Sequence, residues 1–514
     1  MRIALLTDGG SKLWCDRLVR GLPQHEFELY TQPAPAPEDR HGLGRRDRRR
    51  FAAAFAELAA GTCAADGAAF ATGLHGLAEL ARERPGTERA LRSEQALRIL
   101  EAACRSAPAD HHRTLRTATV PDLVHTADGL ARALRPLRLD WYADRGRLAS
   151  ADVVHAAAGG TAALPGLLAK RFFGVPLLVT EYGSWLRAHY LDGTVTGTGT
   201  EPGRPPAARA LLAAFHLRLA AELYARADRL TPGNAHTRRW QEHCGAPRAR
   251  LRTVYPGMEA DRFATVGEAA EAAAVGGSAG HPDEDATLVW VGRVEPAKDL
   301  IGLLHAFAEV RRAEPRARLR IFATGAGSPA YLKDCRALAA QLFPDEAADA
   351  VSAGENPVAF EEVGGPEAPT PADAYAAGRV VLSSSVVEGF PITLVEAMFC
   401  GRATVSTDVG AVFEVIGGTG LVVPPRNPRA LAEACTSLLR DPERAARLGS
   451  AARARALELF TVEQNTAAFG EIYLDLIATR GPAPAPPGIP FALPAEARVP
   501  GNWTAPTRPA EVTA

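Results

Sequence analysis

Several things are missing from this 514-residue chain, and each absence excludes a class of protein. There is no C-x-x-C, and the seven cysteines, at 15, 63, 104, 244, 335, 400 and 435, are odd in number and far apart. That spacing excludes a disulfide scaffold or a zinc finger and fits buried thiols in a reducing compartment. An excess of one charge is also missing. Lys+Arg 58 against Asp+Glu 59 leaves no global attraction to nucleic acid, and lysine itself is scarce. Long apolar runs are absent as well. The opening MRIALLTDGG is too short an apolar run for a signal peptide, and the stretch 161–182 is interrupted by Pro165, Lys170, Arg171 and Pro176. The expectation is a cytoplasmic chain with no transmembrane segment. No internal repeat of useful length is visible.

What is present divides in two. The length is too great for one core and suits two large domains with extensions. RIALLT (2–7) reads as a buried strand closed by Asp8-Gly9-Gly10, followed by an amphipathic helix with Trp14, Leu18 and Leu22 on one face. Further strands are expected at 27–30, 152–155 and 176–180, and a helix over 162–172. Residues 31–50 are Pro-rich and then basic, and 51–106 read as alanine-rich helix. A loose segment, 265–286, separates this half from one that restarts with a strand at 287–291. Strands at 319–323, 379–382 and 404–406 then alternate with helices. Alternation of this kind predicts doubly wound α/β sheets. The expected organisation is an N-terminal Rossmann-like domain with a helical insertion (1–270), a C-terminal Rossmann-like domain (286–460), a helix crossing back to the first domain (461–480), and a Pro- and Ala-rich disordered tail (481–514).

The most informative stretch is 383–415, SSSVVEGFPITLVEAMFCGRATVSTDVGAVFEV. Glu388 and Glu396 form an E-x7-E pair around a Gly389-Phe390-Pro391 turn. Pro391 suits the first position of a helix running from Ile392 to Cys400, with Gly401 as a left-handed stop. Backbone amides at that helix start favour an anion. Upstream, Gly292-Arg293-Val294-Glu295-Pro296-Ala297-Lys298-Asp299 follows the first strand of the second half. Arg293 and Lys298 can both face an interdomain cleft, where two cations stabilise a departing diphosphate. No D-x-D stands at a strand end to hold a divalent metal; Asp283-Glu284-Asp285 falls in the expected linker.

These two segments together resemble the donor-binding elements of retaining glycosyltransferases of family 4 with the GT-B fold, two Rossmann-like domains facing across a cleft. The resemblance implies that Arg293 and Lys298 bind the diphosphate, that Glu388 touches the donor sugar, that Glu396 holds the ribose, and that Gly389, Phe390, Pro391 and Ile392 line the sugar and diphosphate. Further stretches resemble the Pel exopolysaccharide-type subgroup. These are 7–29, with its Gly9-Gly10, 152–160, and Tyr331–Cys335. A fourth, Thr180-Glu181-Tyr182-Gly183-Ser184-Trp185-Leu186-Arg187, looks like the subgroup's T-E-H-G-x-x-x-R. Gly9, Gly10, Glu181 and Tyr182 are thereby implied donor contacts, with Tyr182 standing where the subgroup has histidine and a first loop shorter than usual. His155 is an acceptor-side candidate or a satisfied strand-end histidine. The likeness covers roughly residues 1–30 and 150–478.

The implied activity is hexose transfer from a nucleoside-diphosphate sugar, UDP-linked, to a hydroxyl of a carbohydrate or other acceptor, with no metal and no cofactor. A nucleotide-sugar epimerase of the same fold and a non-catalytic nucleotide-sugar-binding protein are the alternatives. Gly325-Ala326-Gly327 imitates a dinucleotide fingerprint, but Pro329 interrupts it, and the loop is better placed to flank a nucleotide base. The basic run Arg45–Arg50 reads as a solvated loop.

Overall fold

The computed structural model describes residues 1–32, 42–108, 113–138, 140–142, 148–183, 205–276, 286–344 and 356–479. The expected tail 481–514, the Trp185–Arg187 stretch and Asp283–Asp285 lie outside these residues.

The first sheet has strands β1 (Arg2–Thr7), β2 (Glu26–Thr31), β3 (Val153–Ala156), β4 (Leu177–Glu181) and β5 (Arg229–Pro232). Their order is β2-β1-β3-β4-β5, and all pairs are parallel. Period-2 alternation along β1 sends Ala4 and Leu6 to one face and Ile3 and Leu5 to the other. The Ala4–Leu6 face belongs to a large core shared with helices Arg45–Cys63, Gly67–Glu83, Glu94–Arg105, Val120–Ala133 and Pro206–Arg226. The Ile3–Leu5 face packs on Trp14 and Leu18 of helix Lys12–Gly21 and on Phe469, Ile472 and Tyr473 of helix Val462–Ala478. The last described helix therefore completes the core of the first sheet.

The second sheet has β6 (Thr287–Gly292), β7 (Arg318–Ala323), β8 (Val358–Glu362), β9 (Val380–Ser383), β10 (Ala403–Thr407) and β11 (Leu421–Val423). Their order is β11-β10-β9-β6-β7-β8, again all parallel. Leu288 and Trp290 of β6 face one core cluster, and Val289 and Val291 the other. Numbered within the sheet, this is the doubly wound dinucleotide-fold order. The two sheets with their covering helices make the GT-B architecture. All seven cysteines are buried and unpaired, and among the described residues no helix is long and apolar enough to cross a membrane.

Local departures from expectation have physical causes. The linker expected at 265–286 is helical over Ala264–Gly276, because its alanines are strong helix formers. The basic run at 45–50 opens helix Arg45–Cys63 instead of forming a loop, with Arg50 paired to Glu83 at 2.6 Å. The helix expected over 162–172 begins as a 3-10 turn, Gly160–Ala163, before Leu164–Phe173. Pro391 stands at the N-cap rather than at the first helical position, and the helix runs Ile392–Phe399, with Gly401 at φ +65° just beyond it.

Candidate functional site

Strands β6 and β9 are neighbours in the second sheet, but the chain leaves them in opposite directions. Such a switch point opens a crevice at the carboxyl ends of the strands, where ligands bind in sheets of this kind. Both predicted segments emerge there. After β6 the chain makes a 3-10 turn, Pro296–Lys298, and Asp299 (φ +48°) caps helix Leu300–Ala313 through the Gly302 amide. After β9 come Ser384 and Ser385. Two bonds join the loops: the Val386 amide donates to the Ala297 carbonyl at 2.9 Å, and Ser384 Oγ donates to the Lys298 carbonyl at 2.7 Å.

That scaffold brings Lys298 against Glu388. Lys298 Nζ lies 2.5 Å from Glu388 Oε2, with side chains 19% and 16% exposed. Ser385 Oγ donates to the same oxygen at 3.1 Å. Arg293, by contrast, is 56% exposed and, among the described residues, pairs with Glu295 at 3.5 Å. The site thus holds one neutralised, half-buried cation and one cation open to solvent. Ser384 and Ser385 escape sequence reasoning because their roles depend on the facing loop.

The T-D-V-G stretch supports the turn from behind. Gly410 has φ +60°, and a Cβ there would come within 2.3 Å of the Glu388 carbonyl and 2.7 Å of the Gly389 carbonyl. Only glycine permits both the conformation and the approach. The Ala411 amide donates to the Gly389 carbonyl at 3.1 Å, and Thr407 Oγ1 donates to the Ser385 carbonyl at 2.5 Å. Phe390 packs near Tyr255 and Phe460. The Ile392 amide is already bonded to the Phe390 carbonyl at 3.0 Å, so this amide of the helix start is occupied. The Ile392 side chain is exposed.

Glu396 lies further along helix Ile392–Phe399. Its Oε2 accepts from the Tyr375 hydroxyl at 2.7 Å. Burial pushes its carboxyl upward, against the lowering effects of Tyr375, Arg262 and Arg17. Tyr375, 21 positions earlier, carries no signal in the sequence that would link it to Glu396. The loop with Gly325 (φ +59°) and Gly327 follows β7 and abuts the β6 loop, since the Ser328 amide donates to the Val294 carbonyl at 2.8 Å.

The first sheet has its own switch point, between β1 and β3. Gly9 (φ +87°) and Gly10 are exposed there, and Asp8 Oδ1 accepts from the amides of Gly10 and Ser11. Ser11 Oγ donates to the Ala157 carbonyl, joining the two strand-end loops. The other candidates in this domain have partners inside the protein. His155 is fully buried, its Nδ1 2.7 Å from the Tyr473 hydroxyl and its Nε2 2.7 Å from Thr180 Oγ1. Desolvation lowers its pKa to about 3, so it is a neutral, satisfied core histidine, the second of the two readings its sequence position allowed. Glu181 accepts from Tyr224 Oη at 2.7 Å and Gln241 Nε2 at 2.6 Å. Burial raises its carboxyl pKa. Tyr182 lies edge-on to Trp14, 5.3 Å between centroids, and its hydroxyl accepts from Asn465 Nδ2 at 2.9 Å. Glu181 and Tyr182 thus both have hydrogen-bond partners within the protein.

Asn465 itself is a hub that sequence reasoning missed. Its Oδ1 accepts from Trp14 Nε1 at 3.1 Å, and its Nδ2 also donates to the Tyr255 carbonyl at 2.6 Å. A second such contact is Glu414, whose carboxylate accepts from the Ala235 amide at 2.7 Å and the Tyr255 hydroxyl at 2.8 Å. Among the described residues, no group of three or more His, Cys, Asp or Glu is arranged to hold a metal ion.

Residues 285–441 match the family model for glycosyl transferases group 1, and residues 31–249 match a domain of unknown function, DUF3492. The chain is 32% identical over 275 residues to D-inositol 3-phosphate glycosyltransferase of Kineococcus radiotolerans, covering 50% of this chain and 60% of that one. It is 31% identical to the Streptomyces bingchenggensis protein of the same name, covering 46% and 50%. The chain thus spans about half to three-fifths of the length of these curated relatives. Among solved structures it resembles sucrose-phosphate synthase of Thermosynechococcus elongatus (17% identity, 93% of this chain and 99% of that one, TM-score 0.52). It also resembles Anabaena HepE in complex with UDP (15% identity, 92% and 100%, TM-score 0.52). At these identities the structural likeness speaks to the fold.

Proposed function

We propose that the chain is a retaining glycosyltransferase of family 4, of the Pel exopolysaccharide type, moving a hexose from a UDP-linked donor to a hydroxyl acceptor. The observation that carries this reading is the meeting of Lys298, Ser385 and Glu388 at the switch point of the second sheet, beside the Gly-Phe-Pro turn. The match of residues 285–441 to group 1 glycosyl transferases supports it.

Lys298 and Glu388 neutralise each other across the two loops. A nucleotide sugar replaces that contact with two better ones: donor phosphates take the lysine, and a sugar hydroxyl takes the carboxylate. During transfer the bond from the anomeric carbon to the diphosphate oxygen breaks, and its electron pair leaves with the diphosphate. The acceptor oxygen bonds to the anomeric carbon on the same face, and its proton passes to the departing phosphate. Arg293 and Lys298 meet the charge that grows on the leaving group, a preorganised electrostatic role. Glu396 accepts hydrogen bonds from the ribose.

The test is a thermal-shift survey of UDP-, GDP- and ADP-sugars, followed by measurement of nucleotide release and of the anomeric configuration of the product. Stabilisation by a UDP-hexose, with release of UDP and retention at the anomeric carbon, is the expected result. No shift with any donor would overturn the reading. A non-catalytic binder is the second reading, favoured by the inward engagement of His155, Glu181 and Tyr182. It predicts donor stabilisation with no nucleotide release.

A further inference from the structure

We propose that Tyr375 is a positioning residue for nucleotide recognition: it anchors one oxygen of Glu396 so that the other is presented to the vicinal hydroxyls of a ribose. This rests on the proposed role of Glu396 and goes beyond it, because it identifies what makes that carboxylate selective.

The geometry is rigid. Tyr375 is fully buried in a short helix, Pro371–Ala376, held at its start by a Thr370–Asp373 capping box. Its ring meets Phe263 edge-on at 6.0 Å, and Phe263 stacks on Phe399 at 6.2 Å with a 9° angle between planes. Phe399 ends the same helix that bears Glu396. The phenol and the carboxylate are therefore fixed to one packed aromatic cluster, and their 2.7 Å bond links two elements that cannot drift independently. A glutamate with free side-chain torsions would lose that freedom on binding; one ordered in advance does not.

The bond also sets charge. Burial keeps the Tyr375 hydroxyl protonated at all ordinary pH, so it remains a donor. Burial works against the charged form of Glu396, and the Tyr375 hydrogen bond is the largest of the influences that favour it, ahead of Arg262 and Arg17. Cys400 is the other titratable group beside it, and its thiol is pushed up to about 12 and stays neutral. An ionised Glu396 is the stronger acceptor for hydroxyl groups.

The test compares binding of UDP and of 2′,3′-dideoxyuridine diphosphate by calorimetry, in wild type, Tyr375→Phe, Glu396→Gln and the double variant; a chain that prefers GDP or ADP is tested with that nucleotide and its dideoxy form. Wild type should favour the ribonucleotide. Tyr375→Phe should weaken it by roughly five- to tenfold while leaving the dideoxy form unchanged. It should also shift the acid limb of ribonucleotide binding to higher pH. In the Glu396→Gln background, Tyr375→Phe should change ribose preference no further. Equal losses for both nucleotides, or no loss for either, would overturn the role given to Tyr375. A wild type without ribose preference, or without nucleotide binding, would overturn the Glu396 assignment and this inference with it. A ribose preference that falls with Glu396→Gln but not with Tyr375→Phe would overturn this inference alone.

Discussion

The two switch points of this protein use the same topology for opposite ends. In the second sheet the strand-end residues turn outward and meet one another: Lys298, Ser385 and Glu388 converge, and Arg293 stays open to solvent. In the first sheet the strand-end polar groups turn inward. His155 serves Tyr473 and Thr180, Glu181 serves Tyr224 and Gln241, and Tyr182 serves Asn465. Position at the carboxyl end of a parallel strand is thus not enough to mark a ligand contact. What separates the two cases is where the partners come from. Helices Pro206–Arg226, Ala235–His243 and Val462–Ala478 cover the first set; the side chains of the second meet across facing loops.

The sharpest way to break this comparison is to remove the outward cations. Arg293→Ala or Lys298→Ala should lower turnover by roughly 10²–10³-fold, the scale of one lost preorganised charge partner. The fold should survive, as checked by circular dichroism and melting. Unchanged turnover in both variants of an active enzyme would remove them from the chemistry.

The inward group should behave in the reverse way. His155→Ala should cost about 2–4 kcal/mol of stability in urea unfolding, from a lost buried side chain and the lost partner of the Tyr473 hydroxyl, while Thr180 keeps its bond to Thr231. The soluble fraction should retain its Michaelis constant for the donor. The pH dependence has a definite sign. The folded state keeps His155 neutral down to about 3, while an ordinary histidine titrates near 6.5, so the unfolded chain takes up the proton first. Its contribution is complete above pH 6.5 and declines as pH falls toward 3, by up to about 1.4 kcal/mol per pH unit. His155→Gln should remove that slope; an unchanged slope would place the titration elsewhere.

A smaller effect sharpens the assignment within the second sheet. Glu396→Gln should weaken bare nucleoside diphosphate and intact donor alike, by about 1.5–3 kcal/mol. Glu388→Gln should spare the bare nucleotide and impair donor use. Equal losses of bare-nucleotide affinity would erase the division between the two glutamates. The smallest expected effect is none: activity should persist in excess EDTA, because the proposed mechanism gives the diphosphate to Arg293 and Lys298. Loss on chelation, restored by Mg²⁺ or Mn²⁺, would reopen the mechanism.

Much of this architecture was legible from residues alone, for a reason visible in β1. RIALLT is a continuous apolar run with a polar stop, and the strand occupies the predicted residues. Strands β8 and β11 escaped because they are half-exposed edges, VAFEE and LVV, without a long buried run. The Gly-Phe-Pro turn was readable because its chemistry is local. The partners of His155 were not, since Thr180 and Tyr473 stand 25 and 318 positions away. Tyr375 was hidden for the same reason. Sequence patterns report a side chain's face, but not which distant group will occupy it.

The helix Val462–Ala478 imposes an order on synthesis. Ile3, Leu5, Trp14 and Val153 are made long before the Phe469, Ile472 and Tyr473 that cover them. At roughly 5–20 residues per second, the ribosome takes on the order of tens of seconds to bridge that interval. Throughout it, the early sheet offers a bare apolar face, and Trp14 waits for the amide of Asn465. Until helix Val462–Ala478 emerges, that face of the first sheet lacks its cover.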